Sequence, residues 1–548
     1  MTSWIRFWRS FLFLLAVAAP LSAHAQVGGF HLLGTGELQA PPPPQVSHAP
    51  PAAKQAPIAA PRMQAFVLRG IIIDGHSSVP APQLTASWSH FIGQTVSTAD
   101  LSTIATRIGT LEGDSDIALY TVSFPPQAII GGIVHIRITE ASVVHIVIAG
   151  QTAHQRLGLL KSYAQNIIAS RPLRRSVLER NVLLMGDIAG AKVGSQFVPV
   201  PGQPDAVQMV LAIKQTKIFG GFSVNNQGQP ILDNTQAVFN TGVNDLFHQG
   251  ERTQLVLGLP LDVTRYQYFG LNDIEPIGTD GMTVSLSLGD LISRPINEPT
   301  SGNAELLGLR LNYPILRAVH RNLIISGGFD LLNSDNAYLA FTTSRERTRA
   351  LRVSLSYNDD QYVEGIDNFG VTVSKGINIF GARPASIAYG GSDFSKLNLN
   401  LQRLQALPHG FALKLSALGQ FTSDHLPPSE EFDFGGPTYG RAFTAAELTG
   451  DEGYAVSGEL AHAVPMELLP RMLAGTAVFI LADYGRIWNR QAIFQVPTDR
   501  AASFAAGIKF HIIDKFVLSI GVATPIVKPL YVPHSEHYRL IIQTAGHF

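Results

Sequence analysis

The chain has 548 residues, a formal net charge of −1 and no cysteine. Its near-zero charge argues against a nucleic-acid partner, and the lack of cysteine excludes disulfide frameworks, thiolate metal sites and cysteine catalysis. Only 15 % of the residues are charged, yet beyond the N-terminus no apolar run approaches the roughly 18 residues of a spanning helix. Because lipid admits only helices and closed barrels, a membrane protein of this kind would have to be a β-barrel.

Residues 1–25 have the layout of a secretory signal peptide. Arg6 and Arg9 are basic, residues 11–21 are apolar, and Ala23-His24-Ala25 is a small-residue cleavage site. The alternative is a buried N-terminal helix. We expect export from the cytoplasm.

Residues 26–62 form a glycine- and proline-rich lead. The part from 26 to 37 is rich in glycine, a poor helix former, and the part from 38 to 62 contains Pro41-Pro42-Pro43-Pro44. This composition predicts an extended spacer; a ligand for a proline-recognising domain is the alternative.

Two α+β units are predicted next, at residues 63–140 and 141–216. In the first, a strand pattern at 66–73 ends at Asp74-Gly75, and Ser97 and Asp100 precede a helical apolar spacing at 101–111. The second unit repeats this order, which indicates tandem small domains. It also carries a basic stretch that is either a solvated helix face or a contact for an acidic cargo segment or the barrel rim: Arg171, Arg174, Arg175 and Arg180.

From residue 217 to 548 the hydrophobic period is two. Leu307, Leu309 and Leu311 alternate with Gly308, Arg310 and Asn312, and similar alternation recurs up to a last strand that ends at Phe548. One aliphatic and one polar face are typical of a barrel with lipid outside and water inside. A β-sandwich shows the same alternation locally, but about 330 residues of it exceed a normal sandwich.

An arginine lies in an unusual glycine-aromatic segment of this region. The segment contains Gly440, Arg441 and Phe443, and an apolar strand ending in Asp483-Tyr484-Gly485 follows about forty residues later. An arginine held away from water needs a carboxylate partner, so we predict that Arg441 and Asp483 hold a loop inside the lumen. The alternative is a solvated arginine and a turn aspartate. No catalytic, cofactor or metal motif is present, so we expect no enzyme and no cofactor.

From about residue 66 to the end, the chain resembles the two-partner secretion transporters, the hemolysin-activator (TpsB) branch of the Omp85 superfamily. The opening Gly220-Gly221-Phe222 is similar to their first barrel strand, and Asn244-Asp245-Leu246-Phe247 with Gly250-Glu251 is similar to their first surface-loop signature. Gly440-Arg441-Ala442-Phe443 matches their VRGY/F loop motif, with Ala442 in place of the usual glycine. Asp483 and Gly485 match the strand motif that holds the arginine.

The resemblance implies a fold and partners. It implies α+β POTRA domains in the periplasm, followed by a transmembrane antiparallel β-barrel of about 16 strands in the Gram-negative outer membrane. The partners implied are a large secreted exoprotein bound by the POTRA domains, outer-membrane lipid, and the barrel assembly machinery, which reads the C-terminal strand ending at Phe548.

Three functions are compatible with these observations. The leading prediction is a pore that recognises an unfolded exoprotein and translocates it to the cell surface. The first alternative is an insertase that assembles other barrels, although insertases usually carry more POTRA domains. A passive porin is a further alternative, but it would leave the α+β region without a purpose.

Overall fold

A computed structural model describes residues 64–149, 158–362, 365–385, 390–465, 473, 475–491, 496–512, 515–530 and 537–548. The predicted signal peptide and the glycine- and proline-rich lead therefore lie outside the described residues. The described chain forms two compact units, one mainly of residues up to Thr216 and one mainly of residues from Lys217 onward. None of the helices in the described ranges has the length and apolar character to cross a bilayer.

The first α+β domain packs two helices on a three-stranded sheet in the order β2 (Gly70–Gly75), β5 (Ile133–Glu140) and β4 (Tyr120–Ser123). Its long helix begins with a capping box, in which the Ser97 hydroxyl accepts from the Asp100 N–H and the Asp100 carboxylate accepts from the Ser97 N–H. Leu101, Ile104 and Ile108 recur on one helix face and are fully buried. The elements are β1 (Phe66–Val67), β2 (Gly70–Gly75), α1 (Ala81–Ala86), β3 (Thr95–Val96), α2 (Thr98–Asp114), β4 (Tyr120–Ser123) and β5 (Ile133–Glu140).

The second α+β domain repeats the arrangement with a sheet in the order β6 (Ser142–Ala149), β8 (Gln203–Gln215) and β7 (Ala191–Val200). Leu160 and Ile167 of one helix and Leu184 of the other are buried against Met209 and Leu211 of the central strand. The elements are β6 (Ser142–Ala149), α3 (Gly158–Ala169), α4 (Arg175–Asp187), β7 (Ala191–Val200) and β8 (Gln203–Gln215).

One arginine of the basic stretch, Arg175, contacts the first domain, whereas Arg171 and Arg174 are exposed. Arg175 donates from Nη2 to the Gly113 carbonyl of the first domain at 2.6 Å. The Ser176 N–H and hydroxyl donate to the Asp116 carboxylate at 2.9 and 2.7 Å. The start of α4 therefore helps to join the two domains.

Within the described residues from Lys217 onward, sixteen antiparallel strands close into a barrel. The closing seam pairs the first strand with the last, from Asn225 opposite Gln543 to Gly221 opposite His547. The barrel strands are β9 (Ile218–Asn225), β10 (Gln236–Asn244), β11 (Arg252–Leu259), β12 (Tyr266–Ile277), β13 (Met282–Ser293), β14 (Thr300–Arg317), β15 (Arg321–Tyr338), β16 (Phe341–Asp359), β17 (Gly365–Gly376), β18 (Ser395–Leu407), β19 (Phe411–Thr422), β22 (Glu452–Ala463), β23 (Ala477–Trp488), β24 (Thr498–Ile512), β25 (Phe516–Val527) and β26 (Arg539–His547). A small hairpin, β20 (Phe432–Phe434) and β21 (Leu448–Gly450), lies between β19 and β22.

The barrel wall is apolar outside and polar inside. On β14, Leu309 and Leu311 are 48 % and 45 % exposed, whereas Arg310 and Asn312 between and beside them are buried. A water-soluble sheet would bury the leucines instead. This inverted burial confirms the membrane-barrel interpretation of the period-two pattern.

The predicted surface-loop signature is wrong. Asn244 to Glu251 connects β10 to β11, and the Asn244 N–H donates to the Lys217 carbonyl at 2.8 Å. Lys217 immediately precedes the first barrel strand, so this turn lies at the end where the chain enters from the N-terminal domains. The signature is therefore not in a loop at the opposite end of the barrel, where a surface loop would lie.

Candidate functional site: the loop inside the barrel

The connection between β19 and β22, which we call the lumen loop (residues 423–451), is packed against the inner wall. Phe432, Phe434 and Phe443 of the loop are 3 %, 1 % and 5 % exposed and pack on Ala455 and Ile487. On β22, the neighbours of Ala455, Tyr454 and Val456, are exposed. Ala455 therefore points into the barrel, and the loop that covers it lies in the lumen.

The structure brings Arg441 and Asp483 together, but through a different atom from the one expected. The Arg441 main-chain N–H donates to Asp483 Oδ2 at 3.1 Å, and Ser503 on the neighbouring strand donates to the same oxygen at 3.1 Å. The Arg441 guanidinium donates from Nε to the Pro437 carbonyl of its own loop at 3.0 Å. Asp483 thus fixes the loop backbone rather than the arginine charge.

The charge partner of Arg441 is Glu459. Arg441 Nη1 lies 3.8 Å from Glu459 Oε2, and Lys509 forms an ion pair with the other Glu459 oxygen. The Lys509 ammonium also lies 4.8 Å from the centre of the Phe479 ring. The expected direct ion pair between Arg441 and Asp483 is therefore corrected, because the guanidinium turns toward the carboxylate of β22.

Gly440 and Gly485 are required by the close approach of one phenylalanine ring. A Cβ on Gly440 would lie 2.6 Å from the Phe434 ring, and a Cβ on Gly485 would lie 2.2 Å from it. Gly440 also has φ +71°, which favours glycine. The loop and strand motifs thus meet on the two sides of Phe434.

Phe443 and Ala442 add further apolar contacts within the loop and with the wall. The Phe443 ring centre lies 6.2 Å from that of Phe434 at an interplanar angle of 50°. Ala442 packs against the cluster that contains Ala461 and Phe479, and it is not among the residues with positive φ. Alanine in place of the family's usual glycine therefore fits both the packing of the loop against the wall and its backbone conformation.

The loop also reaches the connection that follows the first barrel strand. Gln227 Nε2 donates to the Arg441 carbonyl at 3.3 Å, and Gln229 Nε2 donates to the Ala445 carbonyl at 3.1 Å. The Gln227 side chain is buried. The loop is thus held from β22–β24 on one side and from the β9–β10 connection on the other.

The Arg441 contact lies deep in the barrel. Glu459 is seven positions along β22 from Glu452 (459 − 452), where the strand leaves the loop. At about 3.3 Å per residue this is roughly 23 Å along the strand, or about 18 Å along the barrel axis for a strand tilted by ~40°, against a bilayer whose apolar part is ~30 Å thick. The loop therefore reaches far down the inner wall of the barrel.

Three residues of this site were not predicted from the sequence: Phe434, Glu459 and Gln227. A charged residue at an inward strand position was the available signal for Glu459. Phe434 and Gln227 gave no such signal, because their importance arises from contacts between distant segments. Phe548, the predicted C-terminal signal, donates from its N–H to the Gly220 carbonyl at 3.0 Å and places its ring over Gly220 at the closing seam.

Comparison with known proteins identifies the family. The family model described as haemolysin secretion/activation protein ShlB/FhaC/HecB matches residues 209–510, more than half of the chain. The chain belongs to this family. It is 23 % identical over 472 residues to the heme/hemopexin transporter protein HuxB of Haemophilus influenzae (strain 86-028NP), covering 83 % of this chain and 82 % of the relative.

Solved structures share the fold. CdiB from Escherichia coli superposes with a TM-score of 0.71 at 16 % identity, covering 91 % of this chain and 94 % of that one. CdiB from Acinetobacter baumannii gives 0.63 at 14 % identity, with 98 % and 96 % covered. BamA from Haemophilus ducreyi lacking POTRA domains 1–3 gives 0.53 at 14 % identity, with 88 % and 100 % covered.

These findings confirm the main predictions. The protein is a TpsB transporter of the Omp85 superfamily, with periplasmic POTRA domains and a barrel in the outer membrane. Transporters of this family translocate partner exoproteins across that membrane, and the insertase alternative is not favoured.

Proposed function

We propose that the lumen loop is the gate of this secretion pore and that Arg441 and Asp483 hold it closed until a partner exoprotein enters. The observation that carries this proposal is the position of Arg441 inside the barrel: its main-chain N–H donates to Asp483, and its guanidinium faces Glu459. Displacement of the tip of the loop, residues 437–447, would widen the passage without disturbing the wall. No catalytic group and no cofactor enters the proposal.

The POTRA domains offer open sheet edges to an unfolded cargo. In the order β2-β5-β4, the outer strands are β2 and β4, and in the order β6-β8-β7 they are β6 and β7. A cargo segment that adds a strand to such an edge gains main-chain hydrogen bonds with little demand on its sequence. We infer that a large TpsA-like exoprotein binds here and that its folding outside the cell opposes its return.

The remaining partners are proposed on the same basis. The exposed leucines of the outer wall suit outer-membrane lipid, and the C-terminal strand that ends at Phe548 would be recognised by the barrel assembly machinery during biogenesis. The proposed domain limits are residues 63–140, 141–216 and 217–548, after a signal peptide at 1–25 and a lead at 26–62.

Deletion of the gene tests the secretion function. We expect one abundant exoprotein to disappear from the cell surface or medium, while other outer-membrane barrels stay at wild-type levels, as measured by quantitative proteomics of both fractions. Loss of many barrels together, with the exoproteome otherwise unchanged, would instead indicate an insertase.

Substitution of the tip contacts tests the gate. Arg441→Ala and Asp483→Ala are expected to lower exoprotein secretion while barrel folding, measured by heat-modifiable migration in gels, survives. Asp483→Asn retains an oxygen acceptor for the Arg441 N–H, so it should secrete better than Asp483→Ala. Arg345→Ala, at an exposed position of β16, is the control; wild-type secretion by both alanine variants at 441 and 483 would refute the gate.

A further inference from the structure

A second set of contacts holds the lumen loop at a place remote in sequence from Arg441. Glu430 ends a short 3₁₀ turn, Pro428–Glu430, near the start of the loop, and its side chain is buried. Arg352 Nη2 lies 2.6 Å from Glu430 Oε1, and Lys396 Nζ lies 3.0 Å from Oε2. We call Pro428–Glu430 the root of the loop.

The basic partners of the root are themselves part of a buried charge network. Arg352 Nε lies 2.6 Å from Asp330 Oδ2, and Arg310 Nη2 lies 3.0 Å from the same oxygen. Three cations and two carboxylates thus meet on β14, β15, β16 and β18 with the loop supplying one carboxylate. Removal of Glu430 would leave Arg352 and Lys396 buried beside an excess of positive charge, which is costly.

Further hydrogen bonds, from the main chain and from Ser429, fix the root as well. The Glu430 carbonyl accepts from Lys396 Nζ at 3.1 Å and from Gln420 Nε2 at 2.9 Å. The Ser429 hydroxyl donates to the Glu346 carboxylate, which also accepts from the Thr348 hydroxyl at 2.7 Å. Both the main chain and the side chains of the root are therefore tied to the wall.

The far end of the loop is fixed beside the root. The Asp451 carboxylate is fully buried and accepts from the Leu426 N–H and the Arg490 N–H, each at 2.7 Å. The β20–β21 hairpin pairs Phe432 with Gly450. Both stems of the loop are thus attached to each other and to the barrel.

The tip makes a longer ion contact with the wall than the root does, and it follows two glycines. Its ion contact, between Arg441 and Glu459, is 3.8 Å long. Gly435 and Gly436, directly after β20, have φ +127° and +105°, a backbone region that favours glycine. The loop is therefore built as a fixed root, a glycine joint and a tip at residues 437–447.

We propose that Glu430 anchors the root to β16 and β18 throughout transport, so that the gate opens by movement of the tip about Gly435–Gly436 and not by withdrawal of the whole loop. This inference rests on the proposed gate function. Glu430 acts in it as a positioning residue, since it fixes where the tip moves and does not touch the cargo.

A disulfide between the root and the wall tests the proposal directly. The hydroxyl oxygens of Ser429 and Thr348 are 3.5 Å apart, so Ser429→Cys with Thr348→Cys places two thiols within reach of a bond. The chain has no cysteine of its own, so the tether is unambiguous. We expect the oxidised double variant, with the bond verified by mass spectrometry, to secrete as much exoprotein as the reduced one. A block that a reductant relieves would overturn the proposal.

Substitution of Glu430 gives an independent readout that needs no cargo. Glu430→Gln should raise the mean conductance of the purified barrel in planar bilayers severalfold, because the root then lacks the negative charge that pairs with Arg352 and Lys396 and is held less firmly on the wall. The oxidised Ser429–Thr348 tether placed in the Glu430→Gln protein should restore the wild-type conductance. Glu305→Gln, an exposed position on β14, is the matched control.

Two results in the bilayer would contradict the anchor. One is a wild-type conductance of the Glu430→Gln barrel; the other is a raised conductance that the oxidised tether does not return to the wild-type value. Should Glu430→Gln not fold, the tether experiment still decides, because it keeps Glu430. An unchanged exoproteome on gene deletion would remove the secretion function but not the conductance result, so the two failures are distinguishable.

Discussion

The barrel and the POTRA domains both keep their leucines away from water, but one turns them outward to lipid and the other inward to a protein core. In the first POTRA domain, Leu101 of α2 is fully buried in the core, whereas on the barrel wall Leu311 is 45 % exposed and Arg310 beside it is buried. Leucine avoids water in both places, inside a protein core in one and against lipid chains in the other. Exposure alone therefore says little about a residue until its solvent is known.

Replacing a leucine by alanine should give the largest difference in lost stability between the two regions. Leu101→Ala leaves a cavity in a packed core and should destabilise the first POTRA domain by about 2–5 kcal/mol. Leu311→Ala leaves no cavity, because lipid chains fill the space, and should cost clearly less. Hydrogen exchange of α2, and urea unfolding of the barrel in lipid vesicles, measure the two effects. Equal losses would refute the assignment of Leu311 to lipid.

Introducing an arginine at two equally exposed positions should destabilise the barrel more than the POTRA domain. Leu309 on β14 and Val147 on β6 are 48 % and 45 % exposed. Leu309→Arg, near the middle of a spanning strand, should destabilise the barrel by about 2–4 kcal/mol, and Val147→Arg should change stability by no more than ~0.5 kcal/mol. The folded fraction in vesicles, read from heat-modifiable migration, checks the first, and hydrogen exchange of β6 checks the second. A neutral Leu309→Arg would place that face in water.

The smallest expected effect concerns pH and is confined to the POTRA region. Burial, with the nearby Glu140 carboxylate, raises the pKa of Glu112 above its ordinary 4.5. The folded domain then binds the proton more tightly than the unfolded chain, so its stability should fall as pH rises from about 4.5 through the raised pKa.

Glu112→Gln should remove this slope, because the amide does not titrate. Hydrogen exchange of α2 in the full-length protein between pH 5 and pH 8, corrected for intrinsic rates, measures it. Glu179→Gln on α4 is the control. Parallel slopes in the wild-type and Glu112→Gln proteins would show that the buried carboxyl is not the cause.

The regular elements were predictable because local patterns dictate them. The capping residues Ser97 and Asp100 and the spacing of Leu101, Ile104 and Ile108 indicated α2, which spans Thr98–Asp114. The alternation around Leu309 indicated β14 and which of its faces meets lipid. The surface-loop prediction failed because a similar motif does not reveal at which end of the barrel a turn lies. Strand order decides that.

The contacts of the proposed gate were predicted only in outline. Order and spacing of the two motifs brought Arg441 and Asp483 to one site, but not the atom by which they meet. Asp483 Oδ2 accepts from the Arg441 N–H and the Ser503 hydroxyl, while the guanidinium of Arg441 faces Glu459 on β22. Phe434 and Glu430 had no local signal, since each acts through segments remote in the sequence.

By itself, the sequence determined that this is a barrel with two α+β domains before it, and that a motif arginine lies in one of its loops. Period-two patterning and helix caps are local, so no folded structure is needed to recognise them. Only the tertiary structure decided which carboxylate faces Arg441, why Gly440 and Gly485 must lack side chains beside Phe434, and that Glu430 fixes the root of the same loop. Those contacts join segments from separate strands of a closed barrel, and closure alone brings them within reach.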